Sequence, residues 1–407
     1  MSKLPLEGVR ILDFTWAAVG PYCTFLCSLM GAECIKVETS AHAGYFERRN
    51  PRVDAQLDVR TLIAQQWNVN ELNVNKLSVM LDLKHPEGLH VARCLVALSD
   101  GVVDNFRGGV MQRLGMGYEE LRQINPSIVV VSASTHGQGG PEGHGPGFAQ
   151  IFGSLGGAAY LTGYEGEAPV ELRLPSDLIA GTTAAFALLT GIYHARRTGQ
   201  GQFVDLATRE CFSGFVGEAL LDASLNQRNQ GRHGNRDQVL APHNVYRCEG
   251  EDAWISIAVD NDEEWVALCQ AVGHPEWLQD PRFADQNSRW HSQEELDRLL
   301  ADWAIGQDAV EAMNLLQKAG VAASPSYSAA DLLSDPHVSQ RECLVVTENR
   351  DGEPWVMMGV PWRSSRISGE VRRPPPKMGL DIEHVIGKLL GMTAEELEKL
   401  AERGVLR

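Results

Sequence analysis

A single carboxylate, Asp177, stands immediately before an apolar run that extends from Leu178 to Tyr193. The length and composition of this run predict a buried helix, and carboxylates are seldom left inside apolar structure without a partner. One interpretation is an ordinary helix cap, in which Pro175 sets the turn and Ser176 or Asp177 accepts the first amide hydrogens. The other is a carboxylate nucleophile that the amino terminus of the helix holds ionised.

Composition and charge restrict the classes of function. The chain has 407 residues, of which 43% are apolar and 22% charged, and this length predicts two globular domains. The formal charge of -17 argues against nucleic acid or an anionic membrane as the main partner. An anionic small molecule remains compatible with it, because a local basic patch can lie on an acidic protein.

Cysteine usage and the chain start predict a cytoplasmic location. The eight cysteines are scattered without a C-x-x-C pair, so neither a zinc ribbon nor a thioredoxin-type motif is expected. We also expect no requirement for a metal or a redox cofactor. The start, Met1–Pro5, has no apolar targeting segment, and free thiols suit a reducing compartment. The run from Leu178 to Tyr193 is too short and too rich in Thr and Gly to predict a membrane span.

The first third of the chain alternates strand and helix signals, which predicts an α/β fold with a parallel, doubly wound sheet. Ligands of such sheets bind at the carboxyl ends of the strands, where the strand order reverses. The predicted strands are Val9–Phe14, Cys34–Glu38, Ser78–Leu83, Val102–Phe106 and Ile128–Ser132. Helices are predicted over Pro21–Met30, from Pro86 onward, over Val110–Ile124 and over Arg209–Asn226.

The glycine pattern disfavours a dinucleotide cofactor. The turn after the first strand, Thr15–Gly20, is not G-x-G-x-x-G, and the glycines between 137 and 147 follow the last predicted strand rather than the first. A phosphate-binding G-x-x-x-x-G-K-[ST] loop is also absent from the sequence. We therefore expect no nicotinamide or flavin enzyme.

Short motifs spread over nearly the whole chain resemble the class III CoA-transferase family, which includes formyl-CoA and carnitine CoA-transferases. They run in order from the amino terminus to Leu389–Gly391. The matching stretches are Pro5–Asp13, Gly31–Glu38, Asn75–Lys76, Leu81–Lys84, Pro86–Gly88, Asn105–Arg107, Ile124–Pro126 and Thr198–Gln202.

The resemblance implies a Rossmann-like large domain, a smaller α+β domain and two interlocked subunits. Residues 1–205 would form the first part of the large domain, 206–240 a linker helix and loop, and 241–325 the small domain. Residues 326–407 would return to complete the large domain. The partner would be a second copy or, as in some relatives, a related subunit, and coenzyme A would be a substrate rather than a bound cofactor.

The resemblance also implies roles for individual residues. Asp177 matches the family's nucleophile, and a shielding loop would include Gly231, His233 and Gly234. Arg48 and Arg49 are further basic candidates near the ligand. The expected coenzyme A contacts are Ala17, Val19, Leu81, Asn105, Phe106, Arg107 and Arg113.

The residues expected around the acyl group are apolar, and this composition points to the acceptor. Ala18 and Phe148 stand where the formyl-CoA enzymes carry polar residues, and Trp16 and Phe152 are close to them in sequence. Such a pocket favours a hydrophobic or aromatic acid, for example benzylsuccinate, with succinyl-CoA as donor. The alternative is that these side chains belong to the core.

Two other functions stay open at this point. An α-methylacyl-CoA racemase shares the fold, but the positions expected to hold its proton-transferring pair are Phe148 and Ala149, and His144 is out of register. The chain is alternatively the CoA-binding subunit of a heteromeric transferase, in which case the presence of Asp177 marks it as the active subunit.

Overall fold

The computed structural model describes residues 4–39, 71–348, 354–367 and 369–407. Contacts divide these residues into two compact units. Unit 1 takes the described residues of 1–159, 171–229 and 333–407, and unit 2 takes residues 160–170 and 230–332. The predicted domain boundaries stay a prediction.

A parallel sheet of six strands forms the centre of unit 1, in the order β3-β2-β1-β4-β5-β6. The strands are β1 (Arg10–Asp13), β2 (Glu33–Glu38), β3 (Leu77–Met80), β4 (Gly101–Asp104), β5 (Val129–Ser134) and β6 (Gln202–Ala207). In the register, Leu12 lies opposite both Ile35 and Val102. The order reverses between β1 and β4, so the prediction of a doubly wound α/β sheet is confirmed.

Helices cover both faces of the sheet, which explains why its strands are apolar runs rather than alternating ones. Ile11 and Val131 belong to one buried cluster, and Leu12 and Val130 to the other. The helices are α1 (Val19–Leu29), α2 (Pro86–Ala97), α3 (Val110–Arg113), α4 (Tyr118–Ile124), α5 (Ala149–Leu155), α6 (Ala158–Leu161), α7 (Arg173–Thr198), α8 (Thr208–Phe215) and α9 (Gly217–Asn226).

Two predicted helices are in fact pairs. The segment predicted as one helix over Val110–Ile124 is interrupted at Gly115, whose φ of 73° is left-handed and ends α3. The segment predicted over Arg209–Asn226 is divided between α8 and α9 at Val216. Both errors have the same origin, because an apolar pattern of helical period continues through a short break in the backbone.

Helix α7 is longer than the apolar run that predicted it. It spans 26 residues and ends at Gly199, which is left-handed at the carboxyl cap. By length and composition its stretch Pro175–Thr198 could cross a membrane, contrary to the prediction from the shorter run. Leu188 and Ile192, however, lie in the core of unit 1. A core helix meets the same two criteria, so this is weak support for a membrane span.

Unit 2 contains an antiparallel sheet of three strands packed against helices. The first two strands pair as an antiparallel hairpin, and the strand order is β7-β8-β9. Its core includes Trp265, Phe283 and Leu300. Its elements are β7 (His243–Arg247), β8 (Trp254–Ala258), α10 (Asp262–Ala271), α11 (Gln286–His291), α12 (Gln293–Ala304), α13 (Ala309–Lys318) and β9 (Ala322–Pro325).

The last part of the chain returns to the sheet of unit 1. The backbone amides of Arg372 and Arg373, just before three consecutive prolines, both donate to Asn75 Oδ1 beside β3. The tail helix begins with a capping box between Thr393 and Glu396. After β9 the elements are α14 (Ala329–Ser334), within which unit 1 resumes at Leu333, then α15 (Pro336–Gln340), β10 (Leu344–Glu348), β11 (Pro354–Met358), a π-helical segment (Glu383–Leu389) and α16 (Ala394–Glu402).

Candidate active site

The loops after β1 and β4 meet at the point where the strand order reverses. Trp16 N donates to Asn105 Oδ1 at 3.0 Å, and Asn105 Nδ2 donates to the Trp16 carbonyl at 2.7 Å. These two bonds bring together a residue predicted to contact the acyl group and one predicted to contact coenzyme A. In open α/β sheets this crevice is the usual place for a ligand.

The loop after β1, residues 14–18, which we call the switch-point loop, has a tightly specified backbone. Ala17 is left-handed with φ of 60°, an uncommon conformation for a residue other than glycine. A Cβ on Gly20 would lie 2.3 Å from Thr15 Cγ2, so only glycine fits there. Helix α1 begins at Val19 without a side-chain cap, and its first amides favour negative charge.

Asp177 lies inside helix α7 and does not cap it. The helix begins at Arg173, with Leu172 as the N-cap and no capping side chain. The cap interpretation and the predicted start at Leu178 are therefore wrong, and Asp177 belongs to the second turn. Proline is tolerated in a first turn because amides there have no intrahelical partner, so Pro175 sits within the helix rather than before it.

The face of α7 that carries Asp177 is turned toward α1. Gly181, one helical turn later and hence on the same face, approaches α1 so closely that a Cβ on it would lie 2.7 Å from the Val19 carbonyl oxygen. Val19 opens α1 directly after the switch-point loop. The nucleophile candidate and the reversal point of the sheet thus share one region of unit 1.

Burial raises the pKa of Asp177 to about 7. The expectation that the helix amino terminus holds this carboxylate ionised is wrong, because removal from water favours the neutral form. Carboxyl groups with a pKa near neutrality are common among catalytic residues and uncommon on ordinary surfaces. The carboxylate that does form is poorly solvated, which favours its action as a nucleophile.

Aromatic side chains border the same region. The rings of Trp16 and Phe148 meet edge to face with centroids 6.2 Å apart, and Phe148 is 41% exposed at the start of α5. Helix α5 packs on the first turn of α7, where a Cβ on Gly153 would lie 3.3 Å from Ser176 Oγ. Phe152 is 3% exposed and lies in the core against Phe212. For this residue the structure supports the alternative, a core position, over the predicted place in the pocket.

The predicted coenzyme A contacts are only partly accessible. The side chains of Leu81 and Val19 lie in the two core clusters, and Phe106 packs against one of them. Arg107 and Arg113 are exposed. Arg48 and Arg49 lie outside the described residues.

Sequence reasoning missed a polar network beneath the loop after β4. Asp104 Oδ1 accepts from Phe106 N at 3.1 Å and from Ser132 Oγ at 3.1 Å, and burial raises the pKa of Asp104 to about 7. Gln138 donates to Ser132 Oγ at 2.8 Å and accepts from Gly109 N at 3.1 Å. The signal available in the sequence is that Asp104 and Ser132 are polar residues in neighbouring buried strands, β4 and β5, where the register places them opposite each other.

The predicted shielding loop belongs to unit 2 and is bonded there. Gly234 N donates to the Gly163 carbonyl at 2.8 Å, and the Arg232 guanidinium lies over the Tyr160 ring at 5.4 Å. Gly231 and His233 flank that arginine. The shielding role of this loop stays a prediction.

Metal-ligating side chains do not cluster in the part of the chain that the structure describes. Over residues 4–39, 71–348, 354–367 and 369–407, no three His, Cys, Asp or Glu side chains group as metal ligands would. The expected independence from metals and redox cofactors stays a prediction.

Comparison with known proteins identifies the family. Residues 6–382 match the sequence model of CoA-transferase family III, and the chain belongs to that family of enzymes. It is 32% identical to the succinyl-CoA–D-citramalate CoA-transferase of Chloroflexus aurantiacus over 99% of this chain and 98% of that one. It is 30% identical to the beta subunit of the succinyl-CoA–L-malate CoA-transferase of the same organism, over 100% and 99%.

A solved structure agrees with this assignment. The crystal structure of a CAIB/BAIF family protein from Brucella suis superposes with a TM-score of 0.82 at 26% identity, covering 95% of this chain and 100% of that one. The class III fold expected from the motifs is confirmed. Interlocking of two subunits is not tested by a single chain.

Proposed function

We propose that this enzyme moves coenzyme A from succinyl-CoA to a carboxylic acid, with Asp177 as the covalent nucleophile. The observation that carries the proposal is the place of Asp177: a partly buried carboxylate with a pKa of about 7, on the face of α7 that packs against the start of α1. The two Chloroflexus aurantiacus relatives are named for succinyl-CoA as donor, which supports the choice of donor.

The first half of the proposed reaction loads coenzyme A onto the enzyme. One Asp177 oxygen attacks the thioester carbonyl of the donor, the C–S bond breaks, and a mixed anhydride and CoA thiolate result. The thiolate then attacks the aspartyl carbonyl, and succinate leaves as a carboxylate. The product is an aspartyl-CoA thioester.

The second half reverses these steps with the acceptor. The acceptor carboxylate attacks the aspartyl thioester and releases CoA thiolate, which forms a second anhydride. The thiolate attacks the acceptor carbonyl of that anhydride and frees the Asp177 carboxylate. Each tetrahedral intermediate carries an oxyanion, which fixed amides stabilise. All reacting groups are carboxylates and a thiol, so we propose that no metal or redox cofactor takes part.

The proposed acceptor is a hydrophobic or aromatic acid such as benzylsuccinate. The support is the edge-to-face pair of Trp16 and Phe148. The exposed ring of Phe148 presents apolar surface beside the switch-point loop. A small dicarboxylate is a second candidate, because the two relatives are named for D-citramalate and L-malate. Incubation with succinyl-CoA and these three acids, with new thioesters followed by mass spectrometry, tests both. A preference of more than about tenfold for malate or citramalate would favour the second candidate.

Truncation of the exposed aromatic ring should change acceptor preference. We expect Phe148→Ala to lower kcat/KM for benzylsuccinate about tenfold and to leave L-malate nearly unchanged, because only the aromatic acid loses a ring contact. Leu155→Ala is the matched control, since Leu155 is similarly exposed on the same helix two turns later. Equal losses for both acids would show that Phe148 does not select the acceptor.

A racemase should exchange the α-proton of its substrate, whereas a transferase should not. The positions expected to hold the racemase pair are Phe148 and Ala149, and His144 Nδ1 lies 3.0 Å from the Gly108 carbonyl oxygen. We therefore expect full retention of deuterium when an α-labelled 2-methylacyl-CoA is incubated with the enzyme. Washout of the label at a rate that matches turnover would instead support the racemase.

The partner is proposed to be a second copy of this chain. Helices α7 and α9 expose large apolar side chains, among them Phe186 (73%) and Leu225 (75%), which a subunit interface would cover. We expect the chain purified alone to be active and to have twice its own mass by light scattering. Leu221→Asp on α9 should disturb assembly, whereas Leu98→Asp after α2 should not. An active monomer, or activity only after addition of a related subunit, would contradict the homodimer.

A cytoplasmic location also stays a proposal. It is supported by the free thiols of all eight cysteines, which the structure describes without a disulfide.

A further inference from the structure

Three charged side chains are buried together beneath the switch-point loop. Lys76 Nζ lies 2.8 Å from Asp13 Oδ2 and Lys36 Nζ lies 3.9 Å from Asp13 Oδ1, and all three side chains are almost inaccessible to solvent. Asp13 ends β1, Lys36 lies in β2, and Lys76 precedes β3. Among the described residues, Asp13 is the only carboxylate within 4.0 Å of either ammonium group.

This cluster binds every polar group of Thr15, the residue that leads into the site. Asp13 Oδ1 accepts from the Thr15 backbone amide at 2.9 Å and also from the Thr15 hydroxyl. The Thr15 carbonyl accepts from Lys36 Nζ at 2.8 Å. Trp16 and left-handed Ala17 follow directly, so the cluster determines the direction in which the switch-point loop leaves the sheet.

The same carboxylate also holds the start of α1. Asp13 Oδ2 accepts from Thr24 Oγ1 at 2.6 Å, and Lys76 Nζ donates to the Pro21 carbonyl at 3.0 Å. These contacts are made to helix α1, whose backbone has its own helical hydrogen bonds, so the direct restraint on residues 14–18 is the one made to Thr15.

Stability alone is a weak explanation for such a cluster. Desolvating an ion pair costs free energy, and apolar residues of similar volume often stabilise a core equally well. Burial alone would raise the pKa of Asp13, but Lys36 and Lys76 hold it well below its usual range, so the carboxylate stays charged. Two ammonium groups around one carboxylate also leave a net positive charge close to the site.

We propose that Asp13, Lys36 and Lys76 are positioning residues that fix the switch-point loop in the geometry required for acyl-CoA turnover. The inference rests on the proposed function for its kinetic part only. Its structural part, the restraint on residues 14–18, can be measured without any substrate.

Two threonines provide a matched pair of variants. Thr15→Val and Thr24→Val each remove one buried hydroxyl that donates to Asp13, and only Thr15 belongs to the loop. We expect Thr15→Val to lower kcat about tenfold with KM within about threefold, and Thr24→Val to leave kcat within about twofold. Equal losses of kcat in the two variants would overturn the proposal.

Lys36→Met should give the larger effect, because it removes a charged donor from the Thr15 carbonyl. The remaining Asp13–Lys76 pair is neutral overall, so the variant is expected to fold. We expect kcat to fall about tenfold to a hundredfold and amide hydrogen exchange to accelerate in the peptide covering residues 14–20, with little change elsewhere.

Hydrogen exchange also separates this inference from the proposed function. Unchanged exchange over residues 14–20 in both Lys36→Met and Thr15→Val would overturn the positioning role. If the wild-type enzyme transfers coenzyme A to none of the acids tested but the exchange difference is present, the proposed function fails and the positioning role is retained.

Discussion

Asp177→Asn is expected to lower CoA-transferase activity at least about a thousandfold, the largest effect we predict. Asparagine keeps the shape of the side chain but cannot form the acyl anhydride, so the reaction through the covalent intermediates is no longer possible. The measurement is the steady-state rate of new thioester formation from succinyl-CoA. Retention of more than about a hundredth of the activity, a loss below about 3 kcal/mol in the barrier, would contradict the nucleophile assignment.

Two further variants separate chemistry from helix structure. Ser176→Ala removes the hydroxyl that donates to the Leu172 carbonyl in the same turn, and should stay within about threefold of wild type. Asp177→Glu keeps a carboxylate but displaces it by one methylene, and should recover little activity because acyl transfer depends on close alignment. A large loss in Ser176→Ala would place the defect in the helix rather than in the nucleophile.

The second large effect is a dependence of kcat/KM on pH. The pKa of Asp177 is about 7, and only the carboxylate is nucleophilic. Activity should therefore level off above about pH 8 and fall about tenfold per pH unit well below pH 7, or about a hundredfold between pH 8 and pH 5. Circular dichroism at each pH serves as the control for folding. A flat profile from pH 5 to 8 in a folded enzyme would contradict the prediction.

The same pKa predicts the opposite trend in stability. The folded-state pKa of Asp177 lies above its ordinary value of 3.8, so the folded state binds the proton more tightly. The charged carboxylate opposes folding. This loss of stability begins above pH 3.8 and is complete above about pH 7. The wild type should therefore lose free energy of unfolding as the pH rises from 5 to 8, and Asp177→Asn should not have this loss. The difference in free energy of unfolding between the variant and the wild type should grow in favour of the variant. Denaturant unfolding at the two pH values measures the difference.

The strands of unit 1 and their parallel arrangement can be predicted from local sequence, because these strands are buried on both faces. Val129 and Val131 point to one core cluster and Val130 to the other, so the run is apolar throughout and predicts a parallel strand. The start of α7 does not follow in the same way. Pro175 resembles a boundary, yet a proline is compatible with a first helical turn, and the true start at Arg173 depends on packing.

The parts of the site that depend on the order of the strands could be predicted from the sequence. The contacts between side chains that are far apart in the sequence could not. Trp16 and Asn105 follow strands that lie side by side, so their proximity follows from the strand order. The proximity of Phe152 to Phe148 in sequence predicts a place in the pocket, but Phe152 faces the core from within α5. The contact of Lys76 with Asp13 joins residues 63 positions apart, and no local sequence pattern predicts it.

Trapping the covalent intermediate tests the central claim most directly. Enzyme incubated with succinyl-CoA and quenched with hydroxylamine should yield an aspartyl hydroxamate at position 177, found by peptide mass spectrometry and absent from Asp177→Asn. Recovery of the peptide that contains Asp177 without modification, from enzyme that is turning over, would contradict the account.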